Sequence, residues 1–130
     1  MVRRKRVSVA DPRAVHSRSH EALRDVPLAA LDRVRAICLG FPGTTEATSF
    51  GHPTWRARRK TFAVFEQYRG DWCLAVKADP GEQRALIEAD ARFYRTPYSG
   101  QYGWVSFKLQ GRIPWRRLSA LLLEAHDLCM

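Results

Sequence analysis

The spacing of apolar residues changes along the chain, and each change predicts a different element. Between Leu28 and Cys38 apolar residues recur every three to four positions, as on one face of a helix. From Thr44 the pattern changes to period two. Between Thr54 and Lys77 it predicts three strands, joined by a basic turn near Arg58–Lys60 and by a second turn at Gly70-Asp71.

Proline, glycine and acidic residues predict where the remaining elements begin and end. Asp25-Val26-Pro27 is typical of a helix start, with Asp25 as the cap, and Asp79-Pro80-Gly81-Glu82 resembles a capping box. The Tyr94–Gly103 segment contains three tyrosines, two glycines and a proline, which favours a loop. A strand is predicted from Trp104 to Leu109, and a final helix begins at Pro114.

The predicted order is helix, three strands, helix, strand, helix. This order indicates an α+β domain in which an antiparallel sheet packs on helices. A chain of 130 residues has room for one such domain, and we assign it to residues 25–130. Residues 1–24 lack clear periodicity and are interpreted as a basic flexible arm.

The charge of the chain is concentrated in two places. The formal net charge is +9, from 22 Lys and Arg residues against 13 Asp and Glu. Residues 1–24 contribute seven basic and two acidic residues, and Arg56–Lys60 contributes four basic residues. A hydrophobic fraction of 45% excludes a disordered, solvating protein. The basic excess therefore suggests a polyanionic partner that is contacted locally.

Targeting and cysteine patterns favour a cytoplasmic protein without a membrane partner. No apolar run approaches the roughly 18 residues of a spanning helix. The three cysteines are widely spaced and form no CxxC pair, as expected in a reducing compartment. We also expect a monomer.

No pattern of catalytic or metal-binding residues is visible. The histidines fit no zinc spacing, and no P-loop, GxGxxG or GxSxG motif occurs; the histidines are His16, His20, His52 and His126. Cys73 and Ser99 are candidate nucleophiles, but neither has a base beside it in the sequence, and Cys38 and Cys73 fit packing positions better. We therefore expect no metal, no cofactor and no enzymatic activity.

The predicted basic turn carries the first candidate site. Guanidinium groups match two phosphate oxygens, and a hairpin tip can reach a phosphate backbone without exposing the core. Arg56 and Arg58 are expected on one strand face. The alternative, left open, is a solvated turn whose charges keep a sheet edge soluble. The candidate nucleic-acid contacts are Arg56, Arg58, Arg59 and Lys60.

The aromatic segment from Tyr94 to Trp104 carries the second candidate site. Exposed rings beside arginine can stack on bases or on a planar ligand. The interpretation that we favour is that these rings cover the core. If they do line a pocket, the protein is a small-ligand-binding protein or an unrecognised enzyme. The pocket residues would then be His52, Tyr98, Gln101 and Trp104.

An ordered set of short motifs resembles one known family, the MmcQ/YjbR family of small bacterial proteins. The resemblance covers about three quarters of the chain, from Leu31 to about Leu128. Its segments are Phe41-Pro42-Gly43-Thr44-Thr45-Glu46, Ser49-Phe50-Gly51-His52-Pro53-Thr54-Trp55-Arg56, Lys60-Thr61-Phe62-Ala63, Leu74-Ala75-Val76-Lys77, Pro97-Tyr98, Gly103-Trp104-Val105 and the helix that Trp115 opens.

The resemblance implies a compact CyaY-like fold, in which an antiparallel sheet packs on helices in a double-wing arrangement. Members of the family are usually described as DNA-binding proteins, and that description rests on fold analogy. Together with the basic turn, it leads us to expect a non-enzymatic protein that binds DNA, preferably duplex DNA, through phosphate contacts of low sequence specificity.

Overall fold

The computed structural model describes residues 27–130, so the predicted arm and the predicted cap at Asp25 lie outside the described residues. The described elements comprise three α-helices and six strands. They are α1 (Leu28–Leu39), β1 (Thr44–Ser49), β2 (His52–Ala57), β3 (Lys60–Tyr68), β4 (Asp71–Val76), α2 (Pro80–Ala89), β5 (Phe93–Arg95), β6 (Val105–Lys108) and α3 (Trp115–Leu128).

The strands form one antiparallel sheet in the order β1-β2-β3-β4-β6-β5. This confirms the predicted α+β class with an antiparallel sheet. The sheet is two strands larger than predicted, because β1 and β5 were not recognised as strands. Both lie at an edge of the sheet: β1 contains no large apolar side chain, and β5 is only three residues long.

The hydrophobic core lies between one face of the sheet and the helices. Trp55 is directly opposite Ala63 in the register, and Phe65, Leu74 and Phe107 continue the same face across β3, β4 and β6. All of these side chains are buried. Since Trp55 is linked to α1 through Glu46 and Arg35, this is the face that the helices cover.

A β-bulge brings a further ring into this core. Between Trp55 and Arg56 the pairing with β3 skips Phe62, so that Trp55 faces Ala63 and Arg56 faces Thr61. A bulge interrupts the alternation of side chains, and Phe62 and Ala63 are accordingly both buried. The Phe62 ring lies 5.6 Å from the ring of His126 on α3. The strict alternation predicted through β3 is therefore wrong at this point.

The C-terminal turn of α3 is tied to the segment that joins α1 to β1. His126 is buried, and its Nε2 donates a hydrogen bond of 2.7 Å to the carbonyl oxygen of Pro42. Its ring also lies 5.4 Å from that of Phe41. A buried ring nitrogen with such a partner avoids the cost of an unpaired polar group. His126 is thus a packing residue that orients α3 relative to α1.

Two-residue turns connect the first four strands, and all three of them have positive φ at both turn residues. The turns are Phe50-Gly51, Arg58-Arg59 and Arg69-Gly70. Positive φ at both positions defines a type I′ turn, whose twist matches that of the flanking strands. The first and third turns lie at one end of the sheet, and the Arg58-Arg59 turn lies at the other.

The helix starts lie close to the predicted residues, with a shift of two positions at α1 and of one position at α3. Asp79 caps α2 as predicted, since its Oδ1 accepts a hydrogen bond of 2.8 Å from the backbone N–H of Glu82. Pro27 and Pro114 are the N-cap residues of α1 and α3 and lie just outside the first helical turn. Neither of them offers a side-chain cap, so packing fixes these two helix starts.

Glu46 joins three elements, and its substitution tests how much this junction stabilises the fold. Both Glu46 oxygens accept hydrogen bonds from the Arg35 guanidinium at 2.9 Å, and Oε1 also accepts from Trp55 Nε1 at 3.0 Å. We expect Glu46→Gln to lower the free energy of unfolding by about 1 kcal/mol at pH 7, because charge-assisted bonds are lost. Urea unfolding monitored by tryptophan fluorescence measures the change.

The effect should also depend on pH with a definite sign. The hydrogen bonds from Arg35 hold the pKa of the Glu46 carboxyl below its ordinary value of 4.5. A carboxyl of this kind stabilises the fold above its unfolded-state pKa, and the contribution is lost as the pH falls through the folded value. The stability difference between wild type and Glu46→Gln should therefore shrink below about pH 4. Asp32→Asn removes the exposed second partner of Arg35 and should change stability by less than about 0.5 kcal/mol. A constant difference down to pH 2 would contradict this assignment.

Candidate functional site

The Arg58-Arg59 turn differs from the other two type I′ turns in lacking glycine. Arg58 and Arg59 have φ of 51° and 69°. Type I′ turns favour Asn-Gly, and a side chain in this region costs about 1–2 kcal/mol per residue relative to the ordinary conformation. The Phe50-Gly51 and Arg69-Gly70 turns reduce that cost with a glycine at their second position. Strain that a chain keeps at an exposed turn points to a function for the side chains there.

The four predicted phosphate contacts are close together, but not as a row along one strand. Arg56 lies in β2 opposite Thr61, whereas Arg58 and Arg59 form the turn and Lys60 begins β3. The expectation that Arg56 and Arg58 share a strand face is therefore wrong, because the strand ends at Ala57. All four side chains are exposed. The geometry presents two arginines at the tip, flanked by one basic residue on each strand.

Further basic residues lie at the same end of the sheet as this turn. Ala63 pairs with Val76, and Val76 pairs with Val105. The end of β4 and the start of β6 therefore lie at the same end of the sheet as the basic turn between β2 and β3. Lys77 follows β4 at this end, and its backbone N–H donates a hydrogen bond to the carbonyl oxygen of Phe62. Arg95 is the last residue of β5 and lies at the same end. Neither Lys77 nor Arg95 was predicted as a phosphate contact, since only the strand order shows that they share an end with the turn.

Carboxylates occupy the helix side of this same end. A cleft of about 330 Å³ lies between the start of α2 and the end of α3. Four of its lining residues are acidic and one is a lysine: Asp79, Glu82, Glu124, Asp127 and Lys77. A polyanion is repelled from that side, so it can reach the basic turn from the tip of the hairpin.

The predicted aromatic loop contains structure of its own and exposes two of its rings. Residues Phe93–Arg95 form β5, and Ser99–Tyr102 form a short 3-10 helix. Tyr98 is 89% exposed and Tyr102 is 71% exposed. The favoured expectation that the rings of this segment cover the core is wrong for these two. Among the aromatic residues of this segment, Tyr94 alone stacks on another ring in the described part of the chain. Its ring centroid lies 6.0 Å from that of Tyr68.

Tyr98 has a strained backbone. Its φ of 65° and ψ of −62° place it at the centre of a γ-turn. The matching hydrogen bond is present, because the N–H of Ser99 donates to the carbonyl oxygen of Pro97 at 2.7 Å. This turn is rare for a residue with a side chain. As in the basic turn, a strained backbone coincides with an exposed side chain that can contact a partner.

A buried glutamine on α2 fixes the shape of this loop. The side-chain amide of Gln83 donates to the carbonyl oxygens of Gly100 at 2.9 Å and of Trp104 at 2.7 Å. Gly103 has φ of 101°, and a Cβ there would lie 2.0 Å from the carbonyl oxygen of Ala78. The loop is therefore held against α2 in one conformation. Gln83 was not predicted as a site residue, although its spacing to Leu86 and Ile87 places it on the apolar face of α2.

The structure does not bring the predicted pocket residues together. Tyr98, Gln101 and Trp104 belong to the loop at the end where Arg95 and Val105 pair. His52 pairs with Ser49 beside the Phe50-Gly51 turn, at the other end of the sheet and three strands away from β6. Three strand spacings correspond to about 14 Å across the sheet alone. These four residues do not line one cavity.

Of the two candidate nucleophiles, Cys73 is fully buried, whereas Ser99 is half-buried in the loop that follows β5. Cys38, Cys73 and Cys129 are free and buried. Burial raises the pKa of the Cys38 thiol to about 12 and moves that of Cys73 in the same direction. The Cys73 Sγ donates to the carbonyl oxygen of Glu66. The hydroxyl of Tyr94 has its pKa raised by burial and by the neighbouring Cys73 thiol.

Metal-ligand clusters and membrane-spanning helices are absent from the described part of the chain. Between residues 27 and 130, no three His, Cys, Asp or Glu side chains converge as a metal site would require. No helix in that range combines the length and apolar character needed to cross a bilayer.

Comparisons with known proteins identify the family. The YjbR family model matches residues 39–128, which is more than half of the chain. The chain belongs to the YjbR family. Its fold is similar to that in the crystal structure of Deinococcus radiodurans protein DR2400, described by the domain family DUF419. That likeness has a TM-score of 0.67 at 21% sequence identity and covers 75% of this chain and 76% of that chain.

A search of curated proteins gives no match. At 21% identity, the likeness to DR2400 concerns the fold of this YjbR-family protein. The family resemblance predicted from the ordered motifs is confirmed. The function of this protein has to be argued from the site itself, since one fold supports many functions.

The strain at the basic turn can be measured with a reciprocal pair of variants. Arg59→Gly should raise the free energy of unfolding by about 1 kcal/mol, because glycine adopts positive φ without a steric cost. Gly70→Arg converts the Arg69-Gly70 turn into a second Arg-Arg turn. It should lower stability by about the same amount, since a Cβ at Gly70 meets no atom within 4 Å and only the backbone cost remains.

Urea midpoints at constant m-value give both changes. Arg59→Ala is the matched control, because it removes the charge and keeps the side-chain cost at positive φ. It should unfold near the wild-type midpoint. If Arg59→Gly were no more stable than Arg59→Ala, the turn would not be strained.

Proposed function

We propose that this YjbR-family protein binds the phosphate backbone of nucleic acid, DNA in the first place, through the basic turn formed by Arg56, Arg58, Arg59 and Lys60. The observation that carries the proposal is Arg59 at positive φ beside Arg58, in the second turn position, where the other two turns of the meander have glycine. A second arginine stands there at a cost in stability, which is expected where the side chain contacts a partner.

The charges of this turn are available for a ligand. Arg35 and Arg92 are held by hydrogen-bonded carboxylates at 2.9 Å. Among the described residues, no ion pair engages any of the four side chains of the basic turn. An exposed, unpaired guanidinium can form two parallel hydrogen bonds to phosphate with little desolvation cost.

The shape of the site favours backbone contacts over base reading. Sequence is usually read by a helix or ribbon that enters the major groove. The site here is the tip of one hairpin, and the carboxylates of Asp79, Glu82, Glu124 and Asp127 exclude a polyanion from the adjacent helix side. We therefore infer electrostatic binding of low sequence specificity, without a catalytic step. Such binding weakens steeply with salt through counterion release.

A salt titration with matched charge variants tests the proposal. The double variant Arg58→Asn, Arg59→Gly keeps a favourable turn and removes two charges. We expect weaker binding to a labelled duplex of about 20 base pairs, and a log–log salt slope smaller in magnitude by about 1.8 for two lost phosphate contacts. Fluorescence anisotropy at several salt concentrations measures both quantities.

The control removes the same charge from the opposite end of the sheet. Arg116 and Arg117 are exposed in the first turn of α3, which follows the end of β6 away from the basic turn. Arg116→Gln, Arg117→Gln should keep most of the affinity and slope. Absence of DNA binding by wild type at low salt, or equal losses in the two double variants, would overturn the proposal.

A further inference from the structure

Two exposed tyrosines lie in the loop at residues 96–104, at the same end of the sheet as the basic turn. Tyr98 and Tyr102 are the two most exposed aromatic side chains of the described chain. Both rings are mostly exposed to solvent, while the backbone of the loop is held by Gln83 and Gly103. A backbone held in one conformation reduces the entropy that the loop loses on binding, which is a property of preorganised recognition sites.

We propose that Tyr98 and Tyr102 stack on unpaired bases, so that the preferred ligand of this protein is a single-stranded segment of nucleic acid. This inference rests on the proposed phosphate contacts and names the class of nucleic acid that they serve. Sites for single strands combine a basic track for the backbone with aromatic side chains on which bases stack. Duplex DNA offers only base edges in its grooves, whereas an unpaired base offers a free face.

The charge at this end of the sheet supports a nucleic-acid occupant for the exposed rings. The loop begins directly after Arg95, which is exposed and ends β5 at the same end of the sheet as the basic turn. The side chain of Arg95 packs beside Gly100, where a Cβ would lie 2.3 Å from its Cγ. Glycine at this position therefore permits a guanidinium-bearing side chain to lie along the same loop that carries the two rings.

The separation of the two elements sets the length of strand that can reach both. The basic turn lies between β2 and β3 and the loop between β5 and β6, three strand spacings or about 14 Å apart. At about 3.4 Å per nucleotide in a stacked strand, this distance corresponds to about four nucleotides. A strand of about eight nucleotides can engage both elements at once, and one of about three can engage only one of them.

The test uses the protein with oligothymidines of increasing length and with a single strand that contains 2-aminopurine, whose fluorescence falls when it stacks. For wild type we expect quenching of 2-aminopurine and a marked rise in affinity between about three and about eight nucleotides. Tyr98→Gly combined with Tyr102→Ala should lower single-strand affinity by at least about 30-fold and abolish the quenching. Its duplex affinity should stay within about 2-fold of wild type, since duplex bases are not free to stack.

Two further variants separate stacking from folding. Tyr98→Phe with Tyr102→Phe keeps the rings and should bind single strands as wild type does. Glycine removes the side-chain cost at the positive φ of Tyr98, so Tyr98→Gly should not lower the urea midpoint.

The outcomes distinguish this inference from the proposed function. If the tyrosine variants bound single strands as tightly as wild type while Arg58→Asn, Arg59→Gly lost binding, stacking would be refuted and the phosphate contacts would stand. Equal losses for single strands and duplex in the tyrosine variants would also refute stacking. If wild type bound neither form at low salt, the proposed function itself would fail.

Discussion

The type I′ geometry of three successive two-residue turns is the constraint on which the rest of the sheet depends. Each turn requires two residues at positive φ and fixes the pairing of the strands that it joins. With three such turns, the register from β1 to β4 leaves little freedom, and the Arg58-Arg59 turn must lie at the end opposite Phe50-Gly51 and Arg69-Gly70. The same geometry places strain and charge on the same two residues. Stability and the proposed binding therefore oppose one another at this tip, as is common where a site is maintained for function.

The class of fold was predictable because its strongest signals are local. The apolar stripes of α1 and α3, the capping residues of α2 and the alternation in β2, β3 and β4 all lie within short windows. β1 escaped prediction because its sequence, Thr44–Ser49, has only small and polar side chains and obtains its strand conformation from pairing with β2. The bulge at Phe62 was not predicted either, because it is a property of the pairing between β2 and β3 that neither strand shows alone.

The candidate site likewise has one part that local sequence patterns predict and another that depends on long-range contacts. The basic turn could be predicted, because four charges within five residues and the flanking alternation are visible in the sequence. The exposure of Tyr98 and Tyr102 could not, since it depends on Gln83, a residue 17 positions before Gly100 and 21 before Trp104. The separation of His52 from the loop depends on the strand order, in which β6 is inserted between β4 and β5. Long-range pairing of this kind has no local pattern from which to infer it.

The two edge strands, β1 and β5, have features that hinder pairing with a strand from another copy of the chain. β5 presents only three residues and is followed within two positions by Pro97, which has no backbone N–H to donate. β1 carries Glu46 on the covered face, where Arg35 and Trp55 hold its carboxylate. A short edge and an inward charge are both features that hinder the addition of a foreign strand. The features that made β1 and β5 hard to recognise in the sequence thus also hinder edge-to-edge pairing between copies of the protein, which leads to aggregation.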